Sequence, residues 1–291
     1  MKTAALLAAL GSLVSASTFA AAPTDPFLWG VANAAFQTEG EPAPSDWAAW
    51  TKVSGRIADG SKPDQVFGFW KNYEKEFDLA HDLGANAFRM SIAWERVEPE
   101  PGKFDEAALA HYEAMIVAMR KRGLDPVVTL HHFVNPAWLK DGISNPEFPA
   151  RFTDFATRVV ARLGAAPAKV RWWITLNEPT VLAKSGYLDG DWPPGKQDLQ
   201  ATCEAMAQLV RAHVRAVNAL RKLPGAADWR FGIAKHWRPF EAKTFSPLDW
   251  LGAKITDHFF NREMMDGVLT GKIRMWAPGA KKVKEDLPIE G

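Results

Sequence analysis

The sequence predicts an α/β fold: a (β/α)8 TIM barrel, of which about the first five β/α units are present. Three observations carry this expectation. Short apolar segments rich in aromatic and β-branched residues alternate with longer amphipathic ones. The order is strand then helix each time, which calls for a parallel sheet with its helices outside. The spacing between successive strand starts also grows along the chain, as long loops after the strands require. In barrels such loops build the active site at the C-terminal face.

Residues 27–34, 87–94, 126–133, 172–179 and 230–237 read as the five strands. Between them, Phe69, Tyr73, Phe77 and Ala80 recur at helical spacing, as do Leu109, Tyr112, Met115, Ile116 and Met119. Phe148, Phe152, Phe155, Val159 and Leu163 form a third stripe; Cys203, Met206, Val210, His213, Val217 and Leu220 form a fourth. Each stripe reads as core rather than as a cofactor site. Residues 248–269 read as a further helical stretch, followed by a basic turn region up to Gly291, with a sixth strand expected next. A closed barrel needs eight strands. The chain therefore reads as truncated, an open arc without its closing partners.

Composition narrows the function classes. With 291 residues and a hydrophobic share of 47%, residues 21–291 suit one barrel domain with an ample core. Lys+Arg 35 against Asp+Glu 34 leaves a net charge of +1. Such a chain exerts no long-range pull on nucleic acid or anionic lipid, so neither is expected as a partner. Trp occurs 13 times. That points to a site that stacks against flat apolar faces, such as those of sugars, although barrel cores and loop anchors also use Trp.

Residues 1–20 read as a signal peptide. Lys2 supplies a basic end, residues 4–14 are almost wholly apolar but too short to span a bilayer, and Thr18 and Ala20 place small side chains where a signal peptidase reads. Cleavage is expected after Ala20, and with it a periplasmic or secreted location. Cys203 is the only cysteine, so no intrachain disulfide is possible.

The sharpest chemical feature is Thr175-Leu176-Asn177-Glu178-Pro179, directly after the apolar run Trp172-Trp173-Ile174. Glu178 thus falls at the C-terminal end of a predicted barrel strand, where catalytic groups belong. The plainer alternative is a structural carboxylate. His131 and His132 are adjacent, but neighbours on a strand point to opposite faces and no third ligand lies at a telling spacing. No metal and no cofactor are expected.

Several segments together resemble glycoside hydrolase family 1, the β-glucosidase and β-galactosidase family. Residues 27–40, ending Gln37-Thr38-Glu39-Gly40, resemble its opening strand and Gln-x-Glu-Gly signature. Phe88-Arg89-Met90-Ser91-Ile92-Ala93-Trp94 resembles its second strand, and Thr129-Leu130-His131-His132-Phe133 with Pro136 its third. Thr175 to Pro179 resembles its acid/base motif; Gly186, Tyr187, Leu188, Gly190, Pro194 and Gly195 resemble the loop after that motif. The resemblance implies a retaining β-glycosidase acting on terminal β-linked sugars. Glu178 would be the general acid/base. Asn177 would hold the sugar 2-hydroxyl, Gln37 and His132 would bind hydroxyls on the far side of the ring, and Arg89 would support an ionised nucleophile. Such chemistry needs one protonated and one ionised carboxyl about 5 Å apart.

Three departures stand out. Phe133 occupies a position usually held by Trp, and Glu95 one often held by a small residue. The family's nucleophile lies in a Glu-Asn-Gly motif on the seventh strand, and no such tripeptide occurs here. Glu39, Glu95 and Glu98 are carboxylates near the predicted site, but none has the nucleophile's position. The chain alone is therefore expected to be nearly inactive. Two alternatives remain open: a non-catalytic glycan-binding remnant, or half of a split glycosidase.

Overall fold

The computed structural model describes residues 27–290; the predicted signal peptide lies outside the described residues. Five strands form one parallel sheet in sequence order: β1 (Gly30–Ala32), β2 (Ala87–Ser91), β3 (Asp125–His131), β4 (Trp172–Asn177) and β5 (Arg230–Ala234). The register sets Ala32 beside Arg89, Ser91 beside Thr129, His131 beside Leu176 and Asn177 beside Ala234. All five C-terminal tips therefore lie along one end of the sheet. The α/β class and the five-strand barrel arc are as the sequence predicts.

The strands are shorter than expected, mostly at their C-terminal ends. Beyond β1 the chain turns into a single helical turn, α1 (Ala35–Thr38), and then α2 (Asp46–Trp50), capped by Ser45, whose hydroxyl accepts from Ala48 N at 3.1 Å. After α3 (Phe69–Asp82), β2 stops at Ser91 and Trp94 opens α4 (Trp94–Val97). Trp94 is nonetheless 1% exposed. Apolar character there reports burial at the barrel tip, not extended backbone.

The outer layer continues with α5 (Glu106–Lys121), α6 (Phe148–Leu163), α7 (Pro179–Ala183) and α8 (Leu199–Leu220). Asp105 caps α5 by accepting from Ala107 N and Ala108 N at 2.8 and 3.0 Å, and Asp198 caps α8 by accepting from Ala201 N at 2.9 Å. Each such cap contributes roughly 0.5–2 kcal/mol. The predicted stripes are the buried faces. Phe148, Phe152 and Phe155 of α6 are fully buried, and the Trp94 ring stacks on Phe155 with centroids 5.1 Å apart. Full burial of each such side chain stabilises by about 1.5–3 kcal/mol.

The predicted helical stretch 248–269 corresponds to α9 (Pro247–Asp257), a π-helical turn (His258–Arg262) and α10 (Glu263–Thr270). The basic region after α10 contains a turn, at residues 278–280, but the turn joins two strands that the sequence does not predict. They form an antiparallel hairpin, β6 (Lys272–Met275) with β7 (Val283–Asp286), separate from the main sheet. Ile273 and Met275 are buried while Lys272 points out, the alternation of a strand buried on one face. Arg211 of α8 donates to Glu285 at 2.6 Å and ties the hairpin down.

Candidate active site

The site begins where β4 ends. Asn177 is the last strand residue, and Glu178 turns the chain sharply into α7 with φ 42° and ψ 55°. A non-glycine residue in this left-handed region costs roughly 1–2 kcal/mol. The neighbouring elements hold it there. Glu178 N donates to Ala234 O at 2.7 Å, and Glu178 O accepts from Leu182 N at 3.0 Å. Pro179 comes next at the first helical position, where a missing N–H costs nothing. Backbone strain of this kind clusters at functional sites, which makes Glu178 a candidate.

Beneath this turn Arg89 spans three strands. Its Nη2 donates to Asn177 Oδ1 at 2.5 Å and its Nε to Thr129 Oγ1 at 2.9 Å. Burial lowers the Arg89 guanidinium from its ordinary value, and the Glu178 carboxylate opposes that shift. Glu178 also acts on Lys235, the residue just past β5. Burial pushes Lys235 down to about 8, again against the pull of Glu178. Lys235 Nζ donates to His236 O at 2.5 Å and Phe260 O at 2.9 Å. Two cations thus lie within electrostatic reach of the Glu178 carboxylate.

Arg89 reaches His132 as well. Burial pushes His132 down to about 3, with the positive charge of Arg89 and then His131 adding to the effect. The imidazole is therefore neutral at working pH. Its neighbour His131 points the other way, against Phe148 and Phe152, and bonds Asn135 at 3.1 Å. His132 shares a pocket of about 280 Å³ with Gln37, walled by Phe36, Trp47, Phe133 and Trp192. That is close to the lower end of small-molecule pockets, roughly 300–1,000 Å³. Trp192 packs 5.4 Å from Trp47 and 4.9 Å from Phe133. Gly195, φ 78°, allows the loop to approach: a Cβ there would lie 2.7 Å from the Trp50 ring.

The structure thus joins Arg89 to Asn177 by a hydrogen bond, and to Glu178 and His132 electrostatically. It places Gln37 with His132 in one pocket whose walls do not include Asn177 or Glu178. Gln37 rides on α1 rather than on a strand end and is exposed. Of the nearby carboxylates, Glu39 accepts from Tyr112 Oη at 2.8 Å and from Arg96 Nε at 3.3 Å, and Glu98 from Trp94 Nε1 at 2.7 Å. Sequence reading misses Lys235. Its one visible signal is its place directly after the apolar strand Arg230–Ala234. Trp47 and Trp192 carry no signal beyond the overall abundance of Trp.

Five parallel strands in sequence order with helices packed outside, and polar groups near their C-terminal ends beside an aromatic pocket, define a protein of the β/α-barrel class. Within that class the chain belongs to glycosyl hydrolase family 1, whose family model matches residues 20–282. It is 31% identical over 243 residues to β-glucosidase A of Thermotoga maritima, covering 81% of this chain and 53% of that protein. The solved family 1 β-glucosidase of Thermotoga maritima superimposes with a TM-score of 0.76 at 32% identity, over 81% of this chain and 53% of that one. A rice β-glucosidase mutant in a covalent complex with Glc superimposes with a TM-score of 0.79 at 28% identity, over 85% of this chain and 56% of that one. The chain spans about half the length of the curated relatives it matches.

Proposed function

We propose that this chain forms the acid/base side of a retaining β-glycosidase site for terminal β-linked sugars. The observation that carries the reading is the left-handed Glu178 at the tip of β4, beside an Asn177 whose carbonyl oxygen is held by Arg89. Glu178 protonates the departing glycosidic oxygen, then takes a proton from the water that releases the sugar. Arg89 anchors Asn177 through Oδ1, and the Asn177 amide N–H groups donate to the substrate 2-hydroxyl. Gln37 and a neutral His132 bind hydroxyls from the other side, and Trp47, Phe133 and Trp192 cover apolar sugar faces. The β-glucosidase names of the matched relatives, and the covalent Glc complex of the rice protein, support the substrate class and the retaining route.

The sequence contains no Glu-Asn-Gly, and on this reading the second carboxylate is supplied from outside this sequence, with slow turnover by the chain alone as part of the proposal. The test uses formate as an external carboxylate with cellobiose, whose poor leaving group needs a proton. Formate-dependent glucose release that Glu178→Gln reduces at least about 100-fold supports the reading; equal release by both proteins sinks it.

The same missing motif favours a second reading, a chain that binds glycans without cutting them. Saturable heat with glucose but no formate-dependent release would select it. We also propose export, tested by N-terminal sequencing of mature protein from the native host; a start at Ala21 is expected.

A further inference from the structure

Between the tips of β2 and β3 and helix α1 lies a small cavity of about 10 Å³. Its polar walls are Ser91, Glu95 and His132; the rest is apolar, including Ile92, Leu130 and Val134. Glu95 is 3% exposed, and its Oε2 has no hydrogen-bond partner in the protein. His132 Nδ1 is likewise buried without one. Ser91 Oγ accepts from Ala35 N at 2.8 Å and retains a proton to give. A cavity needs roughly 10–15 Å³ to hold one water, and that water needs two to four polar partners. This one is at the lower end of that size, and three residues with a free polar function line it. Two buried orphan polar atoms on one small cavity are otherwise an expensive arrangement.

We propose that Glu95 is a positioning residue, which through a single water in this cavity fixes the nitrogen of His132 that carries the proton. Which nitrogen of a neutral imidazole is protonated is set by the hydrogen bond the other one makes. Glu95 is pushed up to about 8, chiefly by burial, with Glu39 and Asp46 adding and Arg96 opposing, so it holds its proton at neutral pH. The protonated carboxyl donates to the water, and the water donates to Nδ1. Nε2 then keeps the proton and is a donor toward the Gln37 pocket. Above the Glu95 titration the carboxylate only accepts, the water turns round, and Nδ1 becomes the favoured proton site. The value of that donor toward a sugar hydroxyl rests on the glycosidase reading.

The experiment compares the full chain with Glu95→Gln, both labelled with ¹⁵N-histidine. Long-range proton–nitrogen spectra report the His132 tautomer, assigned by the signal that His132→Gln removes. At pH 7 both proteins are expected to hold the Nε2–H form by roughly tenfold. Raised through pH 8, the wild type shifts toward Nδ1–H and Glu95→Gln does not. Glu39, Asp46 and Arg96 act electrostatically on Glu95, and Arg89 and His131 on the imidazole. All are unchanged in the variant, so the difference isolates Glu95. An Nδ1–H form at pH 7, or the same pH response in both proteins, overturns the proposal. Glu95→Gln keeps volume and neutrality, so folding is not at stake. The tautomer is read without sugar; a failed sugar assay leaves it standing, and a failed tautomer leaves the glycosidase reading standing.

Discussion

Arg89 and Asn177, 88 residues apart in sequence, are joined by a 2.5 Å hydrogen bond that crosses the sheet from the middle of β2 to the tip of β4. The strand between them takes part, since Arg89 Nε also donates to Thr129 Oγ1. One side chain therefore ties three neighbouring strands together and takes one of the two lone pairs of Asn177 Oδ1.

Replacing Arg89 by Met strands two buried acceptors, Asn177 at 4% and Thr129 at 0% exposure. The expected loss is about 1–3 kcal/mol, measured as a lower urea midpoint with an unchanged slope. His132 should also titrate higher, because one of the charges that depresses it is gone. A midpoint equal to the parent's would mean the bond is not made in solution.

Glu178 trades stability for position. Glycine adopts φ 42° without the Cβ penalty, so Glu178→Gly is expected to gain about 1 kcal/mol in denaturant unfolding. A destabilised Glu178→Gly protein would contradict the strained strand tip. If the proposed glycosidase reading holds, substrates with good leaving groups feel the loss of the carboxyl less than cellobiose does, because they need no proton.

The pH dependence of stability has one clean window. Burial raises Glu39 to about 7, Glu95 to about 8, Glu263 to about 7 and Asp46 to about 6. A carboxyl whose folded value is raised contributes stability that is full below its unfolded value and is lost as pH rises through the folded one. Burial lowers His131 to about 4, His132 to about 3 and His213 to about 4, which has the opposite sign: stability rises with pH up to their unfolded value of 6.5, and only the tail of that rise remains above it. Lys235, lowered to about 8, begins to add stability only as pH nears that value. Between pH 6.5 and 8 the carboxyls outweigh both. The unfolding midpoint should fall across that range, and Glu95→Gln should flatten the fall. A midpoint that rises from pH 6.5 to 8 contradicts the buried carboxyls.

Phe155→Ala removes the ring stacked on Trp94 in a fully buried setting. Thermal or urea unfolding should show a loss of about 3–5 kcal/mol. A loss under 1 kcal/mol would place Phe155 outside the core.

The sequence alone determined what depends on neighbours along the chain. Helical stripes such as Phe148, Phe152 and Phe155 and the alternation of strand with helix come from local periodicity, and Glu178 falls at the tip of β4 because an apolar run precedes it. Strands end earlier than apolar character suggests, since Trp94 is apolar for its place in the core and not for extended backbone. The alternation in Lys272–Met275 is legible too, but its pairing with Val283–Asp286 is not. Tertiary structure decided the rest: the Arg89–Asn177 bond, the approach of Lys235 to Glu178, and the cavity shared by Glu95 and His132. Hydrogen bonds and desolvation act over a few ångströms of space between residues far apart in sequence. Only the closed packing of strands and helices brings those groups within reach.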